Sequence, residues 1–282
     1  MKNLVIRSLS GILYVALIVA ALTWPEPDNW LFIIVFALFI MQGIAEVHTI
    51  TAAVDKQRQP WPLVLLDALG GVAVFLSFYY AHQEARGEQV NTLLWTLPVP
   101  VYGLVRMTAQ LFLPRLNAVT SITRSALAVA YVSLPVALLS SVAAITNQRM
   151  LLALFVFIWL NDTGAFLVGS AVGKHRLFER VSPKKSWEGV AGGILFTLLG
   201  AWCMFNFANE FFGGPRLRVW LGMALVVSVF ATLGDLFESL LKRTAGVKDS
   251  GHLIPGHGGI LDRIDSLLFV VPSLLIYFLL FS

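Results

Sequence analysis

Long apolar stretches separated by short polar segments run along the whole chain. Almost nothing remains for a separate soluble domain, so the pattern predicts an all-α, polytopic integral membrane protein with about nine transmembrane helices. The stretches that approach the roughly 20 residues a helix needs to cross a bilayer are 4–24, 30–50, 62–82, 92–113, 124–146, 150–171, 188–212, 219–241 and 260–282.

Composition supports this assignment. Apolar residues make up 57% of the chain and charged residues only 13%, with a mean hydropathy of +0.78, whereas soluble domains carry about a quarter charged residues. The first stretch ends at Trp24-Pro25-Glu26-Pro27 without a small-residue cleavage site, so we expect a retained helix rather than a removable signal. The single cysteine, Cys203, excludes a disulfide framework and a cysteine-based metal site.

The placement of Lys and Arg predicts the orientation. With the N-terminus in the cytoplasm, most of the 20 Lys and Arg residues lie on the cytoplasmic side, and Arg86, Arg149, Arg216 and Arg218 lie on the other. Positive charge in short loops marks the cytoplasmic face. We therefore expect a cytoplasmic N-terminus and an external C-terminus, in a membrane like the bacterial inner membrane. The net charge of +4 is too small to indicate a nucleic-acid partner.

The two halves of the chain differ in their polar content. Residues 1–150 are mostly apolar helices, which we expect to supply a scaffold, a wall for a lipid and the contacts of a homodimer. Residues 151–282 contain two longer polar loops, 172–187 and 242–265, both placed in the cytoplasm by the orientation. The chemistry is predicted there.

The loop 242–265 alternates cations, carboxylates and glycines beside the membrane. Glycines let backbone N–H groups approach phosphate oxygens, and Lys and Arg neutralise phosphate charge. Carboxylates in the same place would repel a polyphosphate unless a divalent cation such as Mg²⁺ bridges them to it. The loop therefore predicts a metal–nucleotide site.

The same region resembles the signature of the phosphatidate cytidylyltransferases, also called CDP-diacylglycerol synthases. Its pattern is Ser-x-apolar-Lys-Arg, four residues, Lys-Asp, then Pro-x-His-Gly-Gly, two residues and Asp-Arg-x-Asp. Residues 239–265 fill every fixed position.

The resemblance implies a Mg²⁺-dependent nucleotidyltransferase of phospholipid biosynthesis. In its reaction the phosphate of phosphatidate attacks the α-phosphorus of CTP, giving CDP-diacylglycerol and pyrophosphate. A phosphate monoester is already anionic, so the site must orient the substrates and neutralise charge rather than supply a general base. The lipid stays in the bilayer while CTP comes from the cytosol.

Four acids are the candidate metal ligands. Asp235 lies on one helix face with Glu238, Ser239 and Lys242, and acids within a membrane helix are costly and usually functional. Asp235 and Asp262 are the first and second predicted ligands, while Asp265 and Asp249 are further candidates for Mg²⁺ or a second metal ion. Each acid also has a structural interpretation: a salt bridge for Asp235 and Glu238, a helix cap for Asp262 and Asp265, and a solvated loop charge for Asp249.

The cations and glycines of this loop are the candidate phosphate contacts. Lys248 and Arg263 are predicted to bind phosphate, and Lys242 and Arg243 to bind either the triphosphate or lipid headgroups. His257 is expected to donate to a phosphate oxygen beside Gly258 and Gly259. All four cations could instead be ordinary positive-inside flanks.

A second candidate region opens the seventh predicted helix with the sequence Ser-Pro-Lys-Lys-Ser, an element that the family also carries. Ser186 is a plausible N-cap, and Lys184 and Lys185 would bind phosphate beside the helix N-terminus. Asp162, inside the sixth span, either borders the polar site or makes a buried hydrogen bond to another helix. Glu46 and Asp67 are assigned to helix packing, because nothing in the sequence ties them to the loop.

Two other functions compete with this interpretation. A CTP-dependent membrane lipid kinase would use a similar polar loop. An ion-coupled transporter or lipid translocase would explain the acids inside the spans, but it leaves the glycine-rich loop unexplained.

Overall fold

The computed structural model describes residues 2–24, 29–85, 91–113, 116–251 and 258–281. This part of the chain forms eleven α-helices and one two-stranded hairpin, which confirms the all-α class. The helices are α1 (Lys2–Thr23), α2 (Trp30–Asp55), α3 (Trp61–Ala85), α4 (Thr92–Thr96), α5 (Pro98–Leu111), α6 (Ala118–Ala128), α7 (Leu134–Ile145), α8 (Gln148–Val172), α9 (Trp187–Phe207), α10 (Leu217–Thr244) and α11 (Leu261–Phe281).

Seven helical segments of the described residues are long and apolar enough to cross a membrane, so the predicted count of nine is not confirmed. They are α2, α3, the continuous segment Ala118–Ile145 formed by α6, a π-helical turn and α7, and then α8 to α11. The first predicted span corresponds to α1, of which Ser10–Thr23 counts as a shorter apolar helix.

The predicted span 92–113 is interrupted and does not form one unbroken helix. It divides into α4 and α5 around Leu97, and α5 begins at Pro98. Pro98 and Pro100 have no backbone N–H to donate to a preceding turn, whereas proline fits well at the start of a helix.

Asparagine caps set the starts of three helices. The side chain of Asn29 accepts a hydrogen bond from Phe32 N (2.9 Å), and that of Asn117 accepts one from Thr120 N (3.0 Å). Asn147 caps α8 in the same way through Met150 N. The cap at Asn117 explains why the membrane segment begins at 118 rather than at the predicted 124.

One compact unit of the fold comprises Met1–Ser141 and Leu241–Ile264. Phe36, Ile40 and Phe75 of α2 and α3 are fully buried in its core. Gly71 of α3 lets these helices approach closely, because a Cβ there would lie 2.5 Å from the Ile44 side chain.

A buried polar cluster joins four helices of this unit around Asp67 of α3. Its Oδ1 accepts hydrogen bonds from Tyr102 Oη (2.9 Å) and Arg106 Nε (3.2 Å), and its Oδ2 accepts one from Ser125 Oγ (2.6 Å). His48 Nε2 lies 2.9 Å from the same Oδ2. Asp67 is fully buried and Arg106 is nearly so. These contacts agree with the prediction that Asp67 serves helix packing.

The other compact unit comprises Val142–Leu240 and Asp265–Ser282. Glycines allow α8 and α9 to pack backbone to backbone, since a Cβ at Gly164 would lie 2.6 Å from the Gly192 carbonyl oxygen. Trp220 of α10 is fully buried, with its ring 6.0 Å from that of Phe157. The roles predicted for the two halves of the chain stay predictions.

The predicted loop 172–187 contains an antiparallel hairpin within the second unit. Its strands are β1 (Arg176–Phe178) and β2 (Ser182–Ser186), with Arg176 opposite Ser186. The carboxylate of Glu188, in the first turn of α9, accepts hydrogen bonds from the backbone N–H groups of Lys174 and His175, both at 3.2 Å. The hairpin is thereby fixed to the helix that follows it.

The Asp67 cluster leads to a stability prediction. Asp67→Asn removes the only carboxylate described beside Arg106 Nε and leaves a buried guanidinium without its counter-charge, so we expect a loss of about 3–5 kcal/mol. Tyr102→Phe removes one neutral donor and should cost about 0.5–1.5 kcal/mol. Equilibrium unfolding of both variants in the same detergent measures the difference, and equal losses would contradict the role given to the charge.

Candidate active site

The start of α11 holds together part of the signature loop through Asp262. Its Oδ2 accepts hydrogen bonds from Gly259 N (2.8 Å), Ser250 N (3.2 Å) and Ser250 Oγ (2.9 Å). Its Oδ1 pairs with Lys242 Nζ at 2.5 Å, and both side chains are largely buried. The structural interpretation of Asp262 as a residue that satisfies N–H groups at a helix start is therefore correct. Its metal-binding role stays a prediction.

Glu46 of α2 is the second carboxylate that binds this loop. It is 2% exposed and accepts hydrogen bonds from Ser250 Oγ (2.8 Å), Ile260 N (3.0 Å) and Leu261 N (2.9 Å). The assignment of Glu46 to helix packing alone, with no tie to the loop, is therefore wrong. We call Glu46, Lys242, Ser250, Gly259 and Asp262 the loop cluster.

A signal for Glu46 exists in the sequence. The residues before α11 are Gly258, Gly259 and Ile260, none of which has a side chain that can cap a helix. The first N–H groups of this apolar helix need an acceptor from elsewhere, and a glutamate within a membrane span can supply one. Glycine is also required at 259, because a Cβ there would collide with the Glu46 carboxylate.

A cavity of about 570 Å³ lies between the hairpin and helices α8, α9 and α10. Two of the predicted cations, Lys184 and Lys185, line it from β2, and two of the predicted acids, Asp162 and Asp235, line it from α8 and α10. We call it the hairpin cavity. Arg176 of β1, which was not among the predicted contacts, also lines this cavity. Its place in the basic loop was the available signal.

Ser186 caps α9 as predicted. Its Oγ accepts a hydrogen bond from Gly189 N at 3.1 Å, and it lines the hairpin cavity. Lys185 Nζ lies 2.6 Å from Asp235 Oδ2, and Ser239 Oγ donates to Asp235 Oδ1 at 3.2 Å. The side chains of Lys185 and Asp235 remain 26% and 37% exposed, so a ligand can reach the pair.

Carboxylates of the second unit form an acidic group beside Lys185. Asp265 interacts electrostatically with Asp235, Asp162 and Lys185, and its Oδ1 accepts a hydrogen bond from Ser266 N at 2.6 Å. The three acids repel one another, and the cations that line the same cavity offset part of their charge. Asp265 therefore belongs to the charged residues near the hairpin cavity.

The donor set of this acidic group fits Mg²⁺. Among the described residues, no three His, Cys, Asp or Glu side chains are arranged to hold a metal ion by themselves. Mg²⁺ bound with a nucleotide needs only one or two protein carboxylates, because phosphates and water fill its other positions. Asp162 and Asp235, which line the same cavity, supply that number.

The remaining predicted residues lie at the surface or outside the described residues. The side chains of Arg243, Lys248, Asp249 and Arg263 are exposed. Gly258 adopts a left-handed backbone conformation with φ of 79°, which favours glycine. His257 falls outside the described residues.

Residues 5–281 match the family model described as the cytidylyltransferase family. The chain belongs to this family. It is 48% identical over 122 residues to a phosphatidate cytidylyltransferase of Staphylococcus aureus, which covers 43% of this chain and 45% of that relative. It is 47% identical over 124 residues to the phosphatidate cytidylyltransferase of Haemophilus influenzae, covering 44% and 43% of the two chains. The matched stretch thus spans less than half the length of these relatives. The family resemblance of the signature loop is confirmed.

The loop cluster leads to a second prediction. Glu46→Gln replaces a carboxylate with an amide that cannot accept from Ser250, Ile260 and Leu261 equally well, so the start of α11 should open more often. Hydrogen exchange of the amides of residues 259–264 should rise about tenfold or more, which corresponds to about 1.4 kcal/mol.

Glu210→Gln is the matched control, since Glu210 is exposed and belongs to the other unit. It should leave exchange in residues 259–264 unchanged. If Glu46→Gln also leaves it unchanged, Glu46 does not hold the loop.

Proposed function

We propose that this protein transfers the cytidylyl group of CTP to phosphatidate, giving CDP-diacylglycerol and pyrophosphate. The observation that carries the proposal is the complete signature in residues 239–265 of a chain that belongs to the cytidylyltransferase family. The names of the relatives support phosphatidate as the acceptor lipid. The hairpin cavity offers Lys184 and Lys185 for phosphate charge and Asp162 and Asp235 for a divalent cation.

The proposed reaction needs neutralised charge and correct alignment. In the proposed mechanism the lipid phosphate oxygen bonds to the α-phosphorus of CTP while the bond to the pyrophosphate oxygen breaks. Because the attacking phosphate is already ionised, no side chain of this chain has to remove a proton. Lys184 and Lys185 would offset the negative charge that builds on the departing pyrophosphate. Lys248 and Arg263, both exposed, stay predicted contacts for phosphate.

Mg²⁺ is the proposed cofactor, and it would draw charge away from the phosphates of CTP. Asp235 and Asp162 would hold it, with Asp265 adding negative charge nearby. Lys185 pairs with Asp235 in the structure, so this lysine would turn to a phosphate when the metal binds. Asp262 is the weaker candidate, since Lys242, Ser250 and Gly259 already engage its oxygens.

The transporter alternative is weakened for two of the four acids that motivated it. Glu46 and Asp67, two of the acids that suggested it, are held by hydrogen bonds from neighbouring backbone and side chains. Neither acid therefore requires an ion path to explain its place inside a span.

The metal assignment is tested with Asp235→Asn. Loss of one ligand charge should lower turnover by about 10²-fold or more and shift the Mg²⁺ dependence to higher concentration. Pyrophosphate release by the purified variant, measured across a Mg²⁺ titration, gives both values. Glu179→Gln in the exposed turn of the hairpin is the control and should behave like the parent. Normal turnover and an unchanged Mg²⁺ profile in Asp235→Asn would remove the assignment.

We also propose that both polar regions face the cytoplasm of the cell. Cysteines placed at the exposed positions Glu179 and Thr244 in a Cys203→Ala background should react with an impermeant maleimide only after the inner face is opened. Ser250 is unsuitable because it is 3% exposed. A cysteine at the exposed position Arg216 should react in intact cells. Reaction of Glu179→Cys or Thr244→Cys from outside would reverse the orientation.

A further inference from the structure

The first unit contains a second large concavity, separate from the hairpin cavity. This groove has a volume of about 1160 Å³ and is lined mainly by α2, α3 and the segment that joins them. Small-molecule pockets usually measure about 300–1,000 Å³, so the groove is large enough for a bulky ligand. We call it the α2–α3 groove.

The walls of the α2–α3 groove suit hydrocarbon chains. Leu38, Phe39 and Ala45 of α2 face it together with Val64 and Leu65 of α3. Residues of this type have no hydrogen-bonding side chains, so a chain of CH₂ groups can lie against them without leaving a polar group unsatisfied.

The two cations of the groove lie where α2 ends. Lys56 and Arg58, both exposed, line it from the segment that joins α2 to α3. Lys56 ends α2 in a left-handed conformation with φ of 58°, which is rare for a residue other than glycine. Two cations at one end of an apolar groove match a lipid with an anionic head.

His48 adds a polar group to the apolar wall. It lines the groove and is 4% exposed, with Nε2 2.9 Å from Asp67 Oδ2. Its Nδ1 has no hydrogen-bond partner among the described residues.

Two residues within the signature also line the groove. Val247, which precedes Lys248, and Ile260, whose N–H donates to Glu46, line it. A lipid in the groove would therefore lie beside the residues that the family signature marks.

We propose that the α2–α3 groove binds the acyl chains of phosphatidate, with the phosphate at Lys56 and Arg58. This inference rests on the proposed function and adds to it the place where the lipid is held. Lys56 and Arg58 are then binding residues for the lipid phosphate, and Ala45, Val64 and Leu65 are contacts for its chains.

The test fills the groove with a large side chain. Ala53 of α2 lines the groove, and Val54, the next residue, is exposed outside the lining. Ala53→Trp should raise the KM for dioleoyl phosphatidate about tenfold, which corresponds to losing a few buried CH₂ groups. The KM for CTP and the turnover of dihexanoyl phosphatidate should stay within about twofold. Val54→Trp is the matched control and should match the parent with all substrates.

A second variant tests the headgroup end without changing the apolar walls. Lys56→Gln combined with Arg58→Gln should raise the KM for both dioleoyl and dihexanoyl phosphatidate several-fold, because both carry the same phosphate, and leave the KM for CTP unchanged.

The outcomes separate the two proposals. If the parent protein transfers nothing to either phosphatidate, the proposed function fails and the groove proposal fails with it. If the parent is active but Ala53→Trp and Val54→Trp have the same KM for dioleoyl phosphatidate, only the groove proposal is overturned. The same holds if Ala53→Trp loses turnover of dioleoyl and dihexanoyl phosphatidate equally while the variant with Lys56→Gln and Arg58→Gln keeps the parent's KM values.

Discussion

The start of α11 is buried and has to be capped, and the residues just before it have no side chain that can cap a helix. Glu46 of α2 provides the acceptor for Ile260 N and Leu261 N, and Asp262 provides it for Gly259 N. Without these carboxylates the first N–H groups of the helix would be buried without partners, at about 1–3 kcal/mol each. The position of the signature loop therefore depends on a helix from the opposite end of the chain.

The acids with a structural role differ from the candidate site acids in how fully their charge is paired. Asp67 is fully buried and has four polar partners, so its charge is used within the fold. Asp235 is paired with Lys185 but remains more than a third exposed, beside Asp162 and near Asp265. In the proposed mechanism this group of acids would exchange its partners when a metal and a nucleotide bind.

The sequence predicted the features that follow from local patterns. Apolar stretches of membrane-spanning length predicted the long helices, and the Ser-Pro-Lys-Lys-Ser element predicted the cap at Ser186 and the cations beside it. The split at Leu97 and the strands of the hairpin were missed, because strands of three and five residues and a span divided by proline leave little periodic signal.

The link from Glu46 to the loop was missed for a different reason. The atoms that it joins are more than 200 residues apart in sequence, and no local pattern reports such a contact. The missing cap before α11 shows that an acceptor is needed but does not say which of the acids within the spans provides it. The α2–α3 groove could not be predicted either, since its walls look like any other membrane helix.

The fate of the α-phosphorus of CTP tests the central claim most directly. Purified protein in mixed micelles with Mg²⁺ receives phosphatidate and CTP that carries a radioactive label at the α-phosphorus. Cytidylyl transfer places the label in the lipid phase and releases unlabelled pyrophosphate. A lipid kinase would leave the label in water as CDP and phosphorylate an alcohol lipid from the γ-position, and that result would contradict the account.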